Sequence, residues 1–269
     1  MKEAHHPIAF LVALREELET IRPLLREARP GVPGGLRGVT GRMGDVEVVA
    51  VRTGIGRENA GAGAAKLLEA VKAGLVIVTG FAGGLRPGLH TGDILIASEV
   101  CELAAGDADA GGNAPESIPR WPARPDILDA AYRARPPGEA GPPVVLGRLV
   151  TVDRVLKTTA EKRALGERLR VDAVDMESGA VIRPADRRGV PVLCVRAILD
   201  DVDCKLTFDF GRILALSGKP RPMAILGEVA RHPSAIPRLL GLGARARKAR
   251  ESLRAFLPGM VRSVSAIIR

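Results

Sequence analysis

Leu75-Val76-Ile77-Val78 carries no polar side chain, and Thr79-Gly80 follows at once. Successive side chains of a strand point to opposite faces, so a strand apolar at every position has no face suited to water. Such strands are covered on both sides, as in a parallel sheet between helical layers. A second apolar run, 191–198, ends in Leu199-Asp200-Asp201. Further strands are predicted over 8–14, 46–51, 94–99 and 144–152. Helical stretches lie between them: one from Arg15, an Ala/Gly-rich one up to Val71, a charged one over 158–170, and one after Glu177. This alternation predicts an α/β fold.

In open α/β sheets, ligands bind beyond the carboxyl ends of the strands. Glu17 sits near such an end, although a glutamate in a first helical turn is also favoured by the helix dipole. Glu177 precedes a helix, and Asp200 closes the run 191–198. Two carboxylates facing one cleft would supply acid/base chemistry. Thr79-Gly80-Phe81-Ala82-Gly83-Gly84-Leu85 has three glycines just after a buried strand. It is expected as a loop, either for close backbone approach to a ligand or for a turn with positive φ. Thr53-Gly54-Ile55-Gly56-Arg57-Glu58-Asn59 resembles the opening of a dinucleotide fingerprint, but Asn59 stands at the third glycine. A close-approach turn fits it better than an NAD site. The chain has no Walker loop, zinc motif or nucleophile elbow.

Three scattered cysteines, Cys101, Cys194 and Cys204, form no disulfide framework or zinc spacing and suggest a reducing, cytoplasmic compartment. No signal peptide is visible, and no uncharged apolar run reaches the ~18 residues of a membrane span. Residues 219–269 hold eleven Lys or Arg and two acids, which accounts for the whole net charge of +9. The expected organisation is a catalytic domain over 1–218 and a basic helical tail over 219–269. In the tail, Leu239, Leu242, Ala246, Ala249, Leu253, Phe256 and Met260 form a helical stripe. That stripe could dock on its own domain or a subunit partner, lie on a membrane surface, or sit beside nucleic acid. Few aromatics are present for base stacking, which sets nucleic acid aside. A short helix is expected over 207–218, and the Gly/Pro-rich stretch 104–143 reads as a surface excursion with one helical piece.

Five motifs in order carry a resemblance. They are Ala13-Leu14-Arg15-Glu16-Glu17, Thr53-Gly54-Ile55-Gly56, Thr79 to Leu85 followed by Gly92-Asp93, Val174-Asp175-Met176-Glu177, and Val195-Arg196-Ala197-Ile198-Leu199-Asp200. Together they resemble the nucleoside phosphorylase/nucleosidase superfamily, especially its methylthioadenosine/S-adenosylhomocysteine nucleosidase branch, over roughly residues 8–205. The resemblance implies a three-layer α/β/α sandwich around a mixed, partly closed sheet. It also implies cleavage of the N-glycosidic bond of a purine nucleoside, with release of adenine.

By position, Glu17 matches the glutamate that orients the attacking water, and Asp200 the acid that protonates the purine at N7. Glu177 matches the residue holding the ribose hydroxyls, with Asp175 before it and Met176 packing under the sugar. Phe81, Ala82 and Gly83 match the strand-end loop beside base and ribose, and Gly54 belongs to the second motif. Val155 stands where the family stacks a phenylalanine on the base, and Leu199 where it has a serine that orients the aspartate. Relatives that use phosphate carry an arginine two residues before the glycine matching Gly80. Val78 stands there, so hydrolysis is expected, with phosphate as a possible co-substrate. No cofactor or metal is implied, and a homo-oligomer is. The tail resembles that of hopanoid-associated phosphorylases, which suggests lipid-linked adenosylhopane as substrate and a peripheral place at the inner membrane face. The alternatives are a soluble methylthioadenosine/S-adenosylhomocysteine nucleosidase, a phosphorolytic purine nucleoside phosphorylase, and a non-catalytic nucleoside-binding or membrane-associated module.

Overall fold

The computed structural model describes residues 6–108, 117–135, 141–204 and 236–268, with side chains from 241 onward in the last stretch. The helix expected over 207–218, the basic segment up to Leu240, and parts of the 104–143 excursion lie outside the described side chains. The first part of the chain runs β1 (Ile8–Val12), α1 (Arg15–Ile21), β2 (Arg26–Val32), β3 (Leu36–Met43), β4 (Val46–Arg52), α2 (Arg57–Ala70) and β5 (Leu75–Gly84). It continues with β6 (Ile94–Glu102), β7 (Arg120–Pro122), α3 (Pro125–Arg133), β8 (Val144–Thr151), α4 (Thr159–Leu169), β9 (Ala173–Asp175), α5 (Ser178–Asp186), β10 (Val192–Asp200) and α6 (Ile236–Ser265).

The strands form one mixed sheet in the order β10-β6-β8-β9-β5-β1-β4-β3-β2. β10 also pairs with β5, which closes β10, β6, β8, β9 and β5 into a ring. β5 lies parallel to both β1 and β10, so these strands end on the same side. Side-chain alternation explains the layers. Ile8, Phe10 and Val12 face Ile21 of α1, Ile127 and Ala131 of α3, and α6. Ala9 and Leu11 face Ala60, Ala64 and Leu67 of α2 and Val181, Ile182 and Ala185 of α5. The fold is therefore the expected three-layer α/β/α sandwich with a partly closed sheet. α4 covers a third cluster, placing Leu165 and Leu169 with Val150. It opens on a capping box, in which Thr158 Oγ1 accepts from Glu161 N at 3.1 Å and Glu161 Oε2 accepts from Thr158 N at 2.8 Å.

One expectation is corrected. Thr79 to Gly84 is not a loop but the second half of β5. Its register with β10 runs Thr79 with Val195, Gly80 with Arg196 and Gly83 with Asp200, and β9 pairs on the other side. β10 pairs along its length, β9 pairs only at Gly83 and Gly84, and between them Phe81 N donates to the Glu17 side chain.

For the tail, the structure decides among the alternatives: Ala249, Leu253, Phe256, Leu257, Met260, Val261 and Val264 are buried in the same core as β1 and β10. Burying a side chain of this kind is worth roughly 1.5–3 kcal/mol gross, and a face used this way is not available to a bilayer. Docking on its own domain is what the structure shows for this part of the tail. Among the described residues, no helix is long and apolar enough to cross a membrane. Phe256→Ala should lower stability by about 3–5 kcal/mol in urea denaturation. A loss under about 1 kcal/mol would show that α6 is not part of the core.

Candidate active site

The central side chain is Arg196, in the middle of β10 and 1% exposed. A buried charge needs partners. Its Nη2 donates to Asp175 Oδ2 and, at 2.9 Å, to Ser178 Oγ. Asp175 ends β9, and its Oδ1 accepts from Thr151 Oγ1 at 2.7 Å while Ser178 Oγ donates to Oδ2 at 2.5 Å. Thr151 Oγ1 in turn accepts from Gly179 N at 2.9 Å. Asp175, expected at the substrate, thus has its carboxylate turned into the scaffold. There it ties together the end of β8, the start of α5 and β10.

Glu17 comes from the opposite end of the sequence. Its Oε2 accepts from Ala13 N and Leu14 N, both at 2.9 Å, which closes the first turn of α1. Its Oε1 accepts from Phe81 N at 3.0 Å, which ties α1 to β5. A carboxylate has about four acceptor positions, so about one is left for a ligand. Gly80 is required here, because a Cβ on it would lie 2.2 Å from Glu17 Oε1 and 2.8 Å from Arg196 Nη1. Burial pushes the Glu17 carboxyl above its ordinary range, against the pull of Arg196 and the backbone donors.

Glu177, half-buried, precedes α5, and its Oε1 accepts from Gly56 N at 2.9 Å. Gly56 has φ +84 and Gly54 has φ +103, backbone values that favour glycine. The Thr53–Gly56 motif therefore delivers a backbone donor to Glu177 across 121 residues. Burial first, then the neighbouring Asp175 carboxylate, push the Glu177 carboxyl up to about 7, while Arg196 and the Gly56 N–H pull it down.

Asp200 closes β10 beside Gly83, 3% exposed. A Cβ on Gly83 would sit 3.6 Å from both carboxylate oxygens, which places the Asp200 carboxylate directly beside β5. Asp200 Oδ2 is ion-paired with Lys162 of α4, itself 1% exposed. Burial raises the Asp200 carboxyl, opposed by Lys162 and Arg245. Ala82 is buried, and Phe81 and Met176 are partly exposed. Val155 lies half-buried after β8, where its carbonyl accepts from Arg154 Nη1 at 3.2 Å. At its outer edge the cluster adjoins a second ion group. Arg57 Nε lies 3.5 Å from Glu102 Oε1, and Arg183 Nη2 lies 2.6 Å from Glu102 Oε2. A groove of ≈ 500 Å³ lined by Trp121, Ile182 and Cys194 flanks the start of β10 and shares no residue with these carboxylates.

Glu17, Asp175, Glu177 and Arg196 thus form one cluster, and Asp200 with Lys162 stands at the next strand-end position. Sequence reasoning gave no role to Arg196 or Lys162. The signals were a charged residue inside the apolar run 191–198, and a lysine sharing the buried stripe Lys162, Leu165, Gly166 and Leu169 of α4. No cluster of His, Cys, Asp and Glu among the described residues is arranged to hold a metal ion.

The sequence matches the Phosphorylase superfamily over residues 7–217. A 5'-methylthioadenosine/S-adenosylhomocysteine nucleosidase from Geobacillus thermodenitrificans is 30% identical over 215 residues, covering 78% of this chain and 91% of that protein. A solved structure of such a nucleosidase from Neisseria meningitidis, in complex with methylthio-immucillin-A, superposes with a TM-score of 0.72 at 22% identity. It covers 96% of this chain and 99% of its own. A futalosine hydrolase mutant from Helicobacter pylori gives a TM-score of 0.71 at 20% identity, with the same coverage. These two share the fold. The family match and the Geobacillus relative settle membership: the chain belongs to the phosphorylase superfamily and is an enzyme of N-glycosidic bond cleavage.

Proposed function

We propose that this chain hydrolyses the N-glycosidic bond of an adenine nucleoside with a small 5' substituent, of the 5'-methylthioadenosine or S-adenosylhomocysteine type. The observation that carries the reading is the charge balance of the cluster, where three carboxylates face the single guanidinium of Arg196. Departure of a purine from ribose builds positive charge on the sugar, as in other glycoside cleavages that pass through an oxocarbenium-like state. A site with surplus carboxylate favours that developing charge. The same surplus disfavours a phosphate dianion. Lys162 is matched by Asp200, and Arg57, which shares Glu102 with Arg183, is turned to that carboxylate at the outer edge of the cluster. Val78, where phosphate-using relatives carry arginine, is a buried core residue. Water is therefore the favoured acceptor.

Roles follow from position. Asp200 protonates the leaving purine, Glu177 holds the ribose hydroxyls with Met176 beneath the sugar, and Glu17 uses its remaining acceptor position to orient water. Gly54, Phe81, Ala82, Gly83 and Val155 line the approach. Proton transfer and charge stabilisation suffice, so no metal or organic cofactor is needed. The reading includes a homo-oligomer in the cytoplasm. Adenosylhopane, the substrate suggested by the tail, draws no support from the relatives' names. The α6 face that would have met the membrane is buried.

The test is release of adenine from 5'-methylthioadenosine, S-adenosylhomocysteine and adenosine in phosphate-free buffer, followed chromatographically. Turnover of the first two is expected; tight binding with no turnover on any of them would favour a non-catalytic module. Asp200→Asn should cost about 10²–10⁴ in kcat, and a loss below tenfold would contradict the acid role. The Glu177 carboxyl, held at about 7, loses its charge as pH falls through that value. The kcat/KM profile, which reports the free enzyme, should therefore fall on the acid side of about pH 7. In Glu177→Gln that limb should be absent, and an unchanged limb would remove Glu177 from ribose binding.

A further inference from the structure

Lys162 is buried on α4, and its ammonium has three hydrogens to donate. All three meet acceptors: Asp200 Oδ2, the Asp201 carbonyl at 2.9 Å and the Cys204 carbonyl at 3.0 Å. The group is thus held in one orientation and has no donor to turn toward a substrate. The same helix grips the turn beyond β10 twice more. Arg163 Nη2 donates to Asp203 Oδ1 at 2.6 Å, and Thr159 Oγ1 to the Asp203 carbonyl at 3.4 Å. On the strand itself, the neighbour Leu199 offers no polar group to orient the carboxylate.

A buried ion pair is a weak source of stability, since an apolar pair of similar volume often does as well. Packing alone therefore does not explain a lysine on the apolar stripe of α4. Its location does, because among the described residues the side chain its ammonium donates to is the carboxylate that closes β10. We propose that Lys162 is the positioning residue for Asp200, clamping one carboxylate oxygen so that the other is presented to the nucleobase. This rests on the role given to Asp200 above. The other charged groups acting on that carboxylate are Arg245, from α6, and the adjacent Asp201. Arg245 Nη1 donates to Sγ of Cys204, whose carbonyl accepts from Lys162. Lys162 pulls the Asp200 carboxyl down, so its removal should make that carboxyl titrate at higher pH.

The experiment uses the full chain and the variants Lys162→Met, Asp200→Asn and the double variant. In Lys162→Met, kcat for adenine release should fall by about 10²-fold, the scale of a misplaced catalytic group, while KM stays within about threefold. The ¹³C carboxyl signal of Asp200, assigned by its loss in Asp200→Asn, should titrate at higher pH than in the parent protein. Lys162→Met leaves a buried carboxylate unpaired and is expected to melt at lower temperature; the double variant removes both charges and so avoids that penalty. If Lys162 acts through Asp200, kcat of the double variant should equal that of Asp200→Asn within about twofold. A further tenfold loss in the double variant, or parental kcat with an unmoved carboxyl titration in Lys162→Met, would overturn the proposal. A parent protein that releases no base from any nucleoside fails the functional reading instead. The carboxyl titration then still judges the clamp, because it needs no turnover.

Discussion

The buried guanidinium of Arg196 is the interaction on which the rest of the site depends. A cation in the middle of a covered strand is tolerable only with anions around it. Asp175 meets it directly, and Glu17 and Glu177 act on it through space. Each of those carboxylates also fixes backbone. Glu17 ties the first turn of α1 to β5, Asp175 accepts from Thr151 Oγ1 of β8 and from the Ser178 N–H that opens α5, and Glu177 holds the glycine turn that opens α2. The charge cluster is thus scaffold, and in the proposed reaction also chemistry. Burial, and for Glu177 also the neighbouring Asp175 carboxylate, holds the Glu17 and Glu177 carboxyls above their ordinary range. In the proposed reaction that cost is relieved as positive charge develops on the sugar beside them.

The sheet makes this arrangement possible. Closure of β10 onto β5 places Arg196 opposite Gly80 and Asp200 opposite Gly83. β9, antiparallel to β5 at Gly83 and Gly84, brings Asp175 and Glu177 to the same edge. Helices hold the edge from outside. α4 secures Asp200 through Lys162, and α6 packs against β10 from the far face while sending Arg245 to Cys204. The tail that reads as an appendage by charge is, over its described apolar face, part of the core.

Much of the fold and several site residues were legible in the sequence for local reasons. The strands were marked by apolar runs, and Glu17, Glu177 and Asp200 stood out as acids next to predicted strand ends or helix starts. The stripe on α6 followed from spacing alone. What escaped depended on contacts distant in sequence. Thr79 to Gly84 reads as a loop because three glycines are poor strand formers, yet strands on both sides and the close approach of Glu17 hold it extended. Asp175 reads as a ligand group until Arg196, 21 residues on, is seen to claim it. Lys162 reads as one more charge on a charged helix, and only Asp200, 38 residues away, gives it a purpose. The partner covering the α6 stripe was equally hidden, since membrane, subunit and own domain all suit an amphipathic helix.

In the proposed function, the same charge balance favours water over phosphate as the second substrate. The direct measurement is the fate of the sugar when the enzyme turns over 5'-methylthioadenosine in ¹⁸O-labelled water containing millimolar phosphate. A free reducing sugar carrying one ¹⁸O at its anomeric position is the expected product. A sugar 1-phosphate without ¹⁸O would show that the cluster accommodates an anion, and would contradict the reading of its carboxylates as a site built for positive charge.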